Sequence, residues 1–290
     1  MKQCFSCELI YNIPITKEIF RLDFEWSGSM PKAGQFFMIK PKRSSVFLPR
    51  PVSVALWEIA ATNEEFIRNK VRSKKNPYQR HLMAKYLNSN TVRFLIAKRG
   101  KGTGELSALH TDEEAELTGP LGNAWTDFLP ALSGSKARGL KPIALIGGGI
   151  GIAPLLALSC ELPENSFDFY AGFKTGFRNQ EEKTMLLGQT LLGSQQIVIS
   201  AENGKSEKKG VITDFLNPSD YSAVCACGPT AMLRVVADKC AAAGVPCYVS
   251  MERHMACGVG ACLGCTVATT KGNRRCCTDG PVFPASEVFS

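Results

Sequence analysis

Cysteines near the end of the chain follow the pattern C-x4-C-x2-C…C, in the stretches MACGVGACLGCTV and RRCCTDGPVF. Cys257, Cys262 and Cys265 are the first three, and the fourth is Cys276 or Cys277. Four thiols in so short a segment dictate its local fold, because the sulfurs have to be gathered around a common centre. The spacing is that of a [2Fe–2S] ligand set, in which four thiolates hold two irons. Gly258, Gly260 and Gly264 lie among them. A loop closing on a small inorganic core needs positive φ and close backbone approach, which glycine permits. Backbone N–H groups freed in this way can point at sulfur and tune the reduction potential. Two adjacent cysteines cannot both reach one cluster, and spacing alone does not choose between Cys276 and Cys277.

Other readings of the thiols explain less. A structural zinc site more usually has two C-x-x-C knuckles, and only Cys262 and Cys265 form one. Disulfides need an oxidising compartment. The opening MKQCFSCELIYNIPITKEIF lacks the apolar stretch of a secretory leader. The expectation is a cytoplasmic chain with reduced thiols. A [2Fe–2S] cluster passes one electron at a time, so a second cofactor that exchanges electrons with it is expected.

A chain of 290 residues has room for two domains and a small appendage. Residues 142–160, PIALIGGGIGIAPLLALSC, carry no charge and are long enough to span a bilayer. The glycines at 147–149, then Gly151 and Pro154, argue instead for a strand, a turn and a buried helix. No membrane span is expected. The net charge of +8 is a local feature, since eleven Lys or Arg and no acid fall between Phe66 and Gly104. The rest of the chain is net acidic, so no nucleic-acid partner is expected. The basic run, about residues 58–92, reads as a surface insertion, or as a patch for an acidic partner or cofactor phosphates.

Residues 5 to about 120 read as short strands: CELIYNI, IFRLDFE, GQFFMIK, VSVALWEI, TVRFLIA and AELTGP. Several alternate apolar with polar, as in an antiparallel barrel of Greek-key type. Residues 141 to about 247 alternate apolar strands with helical stretches, the pattern of a parallel α/β sheet. The expected domains are 1–131, 141–249 and a cysteine-bearing segment 250–290, with a linker at about 132–141. Gly147, Gly148, Gly149 and Gly151 form a strand–helix turn where a pyrophosphate can approach the backbone. Cys227, Gly228 and Pro229 close a second strand of that half. In the barrel half, Arg50 between prolines can clamp a pyrophosphate. Ser53 can bond a flavin edge, and Gly100, Gly102 and Thr103 offer a turn suited to phosphate. An acidic partner for the adenosine ribose is expected about 20 residues after the glycine turn. Asp168 is the candidate, with Lys174 and Arg178 as alternatives suited to a 2′-phosphate. His81, His110 and His254 read as surface or structural residues, and no acid–base catalyst is expected.

RPVS, GKGT, GPLGN, GGGIGIAP and CGPTAM, in that order, resemble the ferredoxin–NADP reductase superfamily. There a β-barrel holds FAD and an α/β domain holds NAD(P)H. The tail, MERHMACGVGACLGC followed by C-x-D-G-P-V-F, is similar to that of the electron-transfer subunits of class 1B, NAD-dependent dihydroorotate dehydrogenases. This resemblance implies FAD on Arg50, Pro51, Val52, Ser53, Gly102 and Thr103, and NAD at Gly147, Gly148, Gly149, Gly151, Cys227, Gly228 and Pro229. It implies cluster ligands at Cys257, Cys262, Cys265 and Cys277, the last standing two residues before DGPVF. Where the family has a Tyr-Arg pair before its Gly-Thr, this chain has Ile96-Ala97, with Arg99 nearby. The implied partner is a catalytic chain carrying FMN, in a heterotetramer of two plus two. Electrons from dihydroorotate would pass through the cluster and FAD to NAD+, in pyrimidine (UMP) biosynthesis. Competing readings are another flavin/iron–sulfur reductase subunit, of sulfide dehydrogenase or ferredoxin–NADP reductase type, a subunit that has lost FAD, and a non-catalytic metal-binding redox sensor.

Overall fold

A computed structural model describes residues 3–61, 70, 74, 77–129, 141–188 and 193–289. The linker expected at 132–141 lies almost wholly outside these residues, as does much of the basic insertion. The chain forms two compact units, Met1–Pro31 with Phe37–Pro120, and Lys32–Phe36 with Leu121–Ser290.

The barrel strands are β1 (Gln3–Pro14), β2 (Ile19–Glu25), β3 (Phe36–Pro41), β4 (Arg50–Glu58), β5 (Thr91–Ala97) and β6 (Glu114–Leu121). They close in the order β1-β2-β5-β4-β3-β6, so the six strands expected from sequence all form. In β6, Ala115, Leu117 and Leu121 are buried while Glu116 is exposed, the period of two that sends alternate side chains inward. Inside, Phe24, Trp26, Phe37 and Phe94 pack edge to face, with Trp26–Phe37 and Phe37–Phe94 centroids 4.9 and 5.4 Å apart. Helix α1 (Pro77–Asn88) carries part of the basic insertion. Its Lys85 is ion-paired with Glu8 of β1, and its Tyr86 hydroxyl accepts from Arg93 at 3.0 Å. Some of that basic run is therefore engaged with the barrel rather than offered to a partner. A short helix, α2 (Lys101–Ser107), follows β5.

The second unit is built on a seven-stranded sheet in the order β10-β9-β8-β7-β11-β12-β15. Its strands are β7 (Ile143–Gly148), β8 (Phe167–Phe173), β9 (Gln196–Ala201), β10 (Lys208–Lys209), β11 (Ala223–Cys227), β12 (Cys247–Ser250) and β15 (Val282–Pro284). β7 runs into a 3-10 turn over Gly149–Ile152 and then helix α3 (Ala153–Glu161). Residues 142–160 are thus strand, turn and buried helix. Among the described residues no helix is long and apolar enough to cross a membrane. Helix α4 (Gln180–Leu187) connects β8 to β9 and α5 (Thr230–Ala243) connects β11 to β12. From β7 the chain adds β8, β9 and β10 on one side and then β11 and β12 on the other. The order reverses between β7 and β11, and ligands of open α/β sheets bind at the carboxyl ends of strands beside such a reversal.

The cysteine-bearing segment is more than an appendage. After a hairpin of β13 (Thr266–Thr269) and β14 (Gly272–Arg275) comes one turn of helix, α6 (Cys276–Asp279). β15 then pairs antiparallel with β12, Val249 opposite Phe283, as the last strand of the sheet. A turn of helix, α7 (Ala285–Val288), ends the described chain.

Candidate functional site

At the carboxyl ends of β7 and β11 the two glycine turns lie against one another. A Cβ on Gly151 would stand 2.6 Å from the Cys227 carbonyl oxygen and 2.8 Å from Gly228 Cα. One on Gly148 would meet Met232 Sδ at 2.7 Å and Pro229 Cδ at 2.9 Å, and one on Gly147 would meet Ile152 Cγ2 at 2.7 Å. Three of the four glycines are therefore required by packing. Gly149 differs, because its φ is +56° and nothing lies within 4 Å of where its Cβ would be. That clear space beside the 3-10 turn suits a pyrophosphate approaching the backbone. Cys227 ends β11 opposite Ser250 of β12, and burial pushes its thiol up to about 12. It is a neutral thiol at physiological pH, not a nucleophile.

Asp168 does not serve as a ribose partner. It sits at the amino end of β8, almost fully buried, where it accepts from the Tyr221 hydroxyl at 2.8 Å and the Gln196 amide at 3.0 Å. Dinucleotides bind at the other end of the strands. Lys174, just past the carboxyl end of β8, is exposed, and Arg178 is tied to Glu182 of α4. His81, His110 and His254 are all exposed.

The tail brings its cysteines together in two pairs. Cys262 lies beside Cys257, and Cys277 beside Cys265. Gly258 and Gly260 have φ of +66° and +84°, and Leu263 takes +58°. This winding turns the amides of Val259 and Cys262 onto Cys257 Sγ, each at 3.4 Å, and the Cys277 amide onto Cys265 Sγ at 3.4 Å. Burial works against a Cys257 thiolate, yet the amides of Cys262, Val259 and Ala261 and the Cys262 thiol outweigh it and lower its pKa to about 6. Cys265 and Cys277 are buried while Cys262 is exposed, so one pair lies inward and the other faces out. Among the described residues no three His, Cys, Asp or Glu side chains converge as they would on a single ion. A binuclear cluster takes two thiolates per iron, and a two-plus-two arrangement with amides aimed at sulfur fits it better than a mononuclear zinc site.

Cys276 and Cys277 separate clearly. The Cys276 thiol donates to the Met251 carbonyl at 3.0 Å, and burial raises its pKa to about 12. The Cys277 amide, by contrast, is the one aimed at Cys265 Sγ, at 3.4 Å.

In the barrel unit, Arg50 donates from Nη1 to the carbonyls of Leu48 at 3.0 Å and Pro49 at 3.3 Å. Its guanidinium lies over Gly102, where a Cβ would come within 2.4 Å of Nε. Sequence had suggested a phosphate turn at Gly100–Thr103, and the segment is instead the start of α2. The Thr103 hydroxyl is engaged there, accepting from the amides of Arg99 at 2.9 Å and Gly100 at 3.1 Å. What remains for a phosphate is the backbone of the first turn beside Arg50. Ser53 is half-buried and its hydroxyl has no partner among the described residues, so it is available to a flavin edge. Val52 points into the barrel core and can offer only its backbone. Ile96 is also a core side chain, and neither it nor Ala97 supplies the polar groups of the family's Tyr-Arg pair. Glu105 of α2 escaped the sequence reading. It accepts from Ser44 Oγ at 2.5 Å and from the Ser45 amide at 3.3 Å, tying the loop before Arg50 to α2. No spacing signal marks such a contact across sixty residues.

Residues 252–289 match the profile of the iron–sulfur cluster binding domain of dihydroorotate dehydrogenase B. The chain is 36% identical over 284 residues to the electron transfer subunit of dihydroorotate dehydrogenase B (NAD(+)) from Clostridium perfringens, covering 98% of this chain and 97% of that one. With the corresponding subunit from Clostridium acetobutylicum the identity is 33% over 290 residues, 100% and 99% of the two chains. Among solved structures, an NADH-dependent reduced ferredoxin–NADP oxidoreductase superposes with a TM-score of 0.67 at 23% identity, covering 97% of this chain and 89% of that one. A ferredoxin–NADP+ reductase from Neisseria gonorrhoeae gives 0.54 at 14% identity, over 87% and 95%.

Proposed function

The chain belongs to the family of dihydroorotate dehydrogenase B electron-transfer subunits, and on that premise we propose that it carries electrons from a separate catalytic chain to NAD+. That makes it the oxidoreductase subunit that closes the dihydroorotate oxidation step of pyrimidine biosynthesis. When bound, the [2Fe–2S] cluster and FAD supply the change from one-electron to two-electron transfer, because nicotinamide accepts two electrons together. The residues of this chain bind, orient and tune.

The observation that carries the proposal is the tail, where two thiol pairs receive backbone N–H groups on sulfur. Cys257, Cys262, Cys265 and Cys277 are the proposed ligands and would hold the two irons through their four thiolates. Arg50 and the first turn of α2 would hold the FAD pyrophosphate, with Ser53 at the flavin edge. Gly149 leaves room for the NAD pyrophosphate, while Gly147, Gly148 and Gly151 let the turn at 147–151 pack against Cys227-Gly228-Pro229. No side chain of this site acts as an acid or base, and the Cys227 thiol stays protonated. The substrate-oxidising chain would carry FMN, and two copies of each subunit would assemble in the cytoplasm.

Anaerobically purified protein tests this. It should show flavin absorption with about two irons and two sulfides per chain. With the catalytic partner and dihydroorotate present, it should reduce NAD+. Zinc without colour would sink the proposal, and a flavin/iron–sulfur protein inert toward dihydroorotate would move it to another reductase of the same fold.

A further inference from the structure

Thr278 follows Cys277 directly, and its hydroxyl is buried without a hydrogen-bond partner among the described residues. Buried hydroxyls are seldom left so, because the lost hydration is not replaced. The side chain lies against Gly260, between Cys257 and Cys262, where a Cβ would come 2.9 Å from Thr278 Cγ2 and 3.4 Å from Oγ1. The hydroxyl therefore sits in the wall of the loop that gathers the thiols. A hydroxyl needs only one acceptor to be satisfied as a donor; no protein acceptor among the described residues receives this one, and the sulfurs that the loop gathers are the further acceptors a bound centre would bring.

We propose that the Thr278 hydroxyl donates a hydrogen bond to a sulfur of the [2Fe–2S] centre, thiolate or bridging sulfide, and so sets its reduction potential. The inference rests on the reading of the tail given above. Reduction adds negative charge to the sulfurs, so a hydrogen bond to them stabilises the reduced form more than the oxidised form. Thr278 is thus a tuning residue, and its loss should make the centre harder to reduce without removing a ligand.

The test uses the full-length protein with its cofactors. Thr278→Val replaces the hydroxyl by a methyl of similar shape and should keep iron, sulfide and the spectrum of the reduced centre. Its midpoint potential should shift negative, whereas Thr278→Ser should stay close to the wild type. Thr278→Ala is read in the same way should valine disturb the loop. Pulsed EPR of the reduced wild type should show an exchangeable proton coupled to the centre, kept in the serine variant and absent from the valine or alanine variant. An unshifted potential in a fully loaded valine or alanine variant, or an unchanged proton coupling, overturns the inference and leaves the tail reading intact. Absence of iron and sulfide from the wild type would defeat the tail reading itself.

Discussion

The turn at 147–151 and the loop at 257–265 are both rich in glycine, and they use it for different physical reasons. In the turn, Gly147, Gly148 and Gly151 are surrounded by neighbouring atoms, so the absence of a side chain lets two strand ends approach. In the loop, Gly258 and Gly260 are required by backbone angle, which turns N–H groups toward sulfur. The first arrangement holds a ligand by leaving space; the second holds one by aiming dipoles. Gly149 is the exception within the turn, conformationally constrained yet unobstructed.

The largest expected effect is in the loop and discriminates its thiols. Cys277→Ser should abolish the visible cluster absorption and its iron, while Cys276→Ser should retain both, since the Cys276 thiol is directed at Met251. The opposite result would transfer the ligand role to Cys276. Next comes Gly151→Ala, whose methyl would meet backbone on the Cys227 side. Overpacking of this kind costs about 1–3 kcal/mol. Thermal unfolding should shift down and NADH affinity should fall, with iron and sulfide content unchanged. Gly149→Ala should be the mildest. It meets no atoms and pays only for positive φ, about 1 kcal/mol, so its loss should appear in dinucleotide affinity more than in melting temperature. Equal melting losses for Gly149→Ala and Gly151→Ala would break the distinction between packing and conformation.

Much of this was legible in the chain. The six barrel strands announce themselves as short apolar runs, several of them alternating, and the turn after β7 by its glycines. What failed did so for physical reasons. β15 is three residues long and owes its strand geometry to pairing with Tyr248–Ser250, which no local pattern reveals. Lys101–Ser107 looked like a turn because glycine is a poor helix former. The Thr103 cap and the arginine packed over Gly102 override that preference. Asp168 met a rule of spacing, but spacing does not say which end of a strand a residue occupies. The choice between Cys276 and Cys277 was open to residue chemistry, and only the resemblance settled on Cys277. A turn of helix, by sending successive side chains in different directions, separates them in space.

The pairing of β15 with β12 also bears on how the chain matures. β12 is synthesised before its outer neighbour, so until residues 282–284 emerge the sheet has an open flank of unpaired N–H and C=O groups. Such a flank is a template for strands of other molecules. The segment that gathers the thiols is tethered between these two strands, so closing the flank also brings the ends of that segment together. Protection against self-association and assembly of the electron-transfer centre therefore depend on the same late pairing.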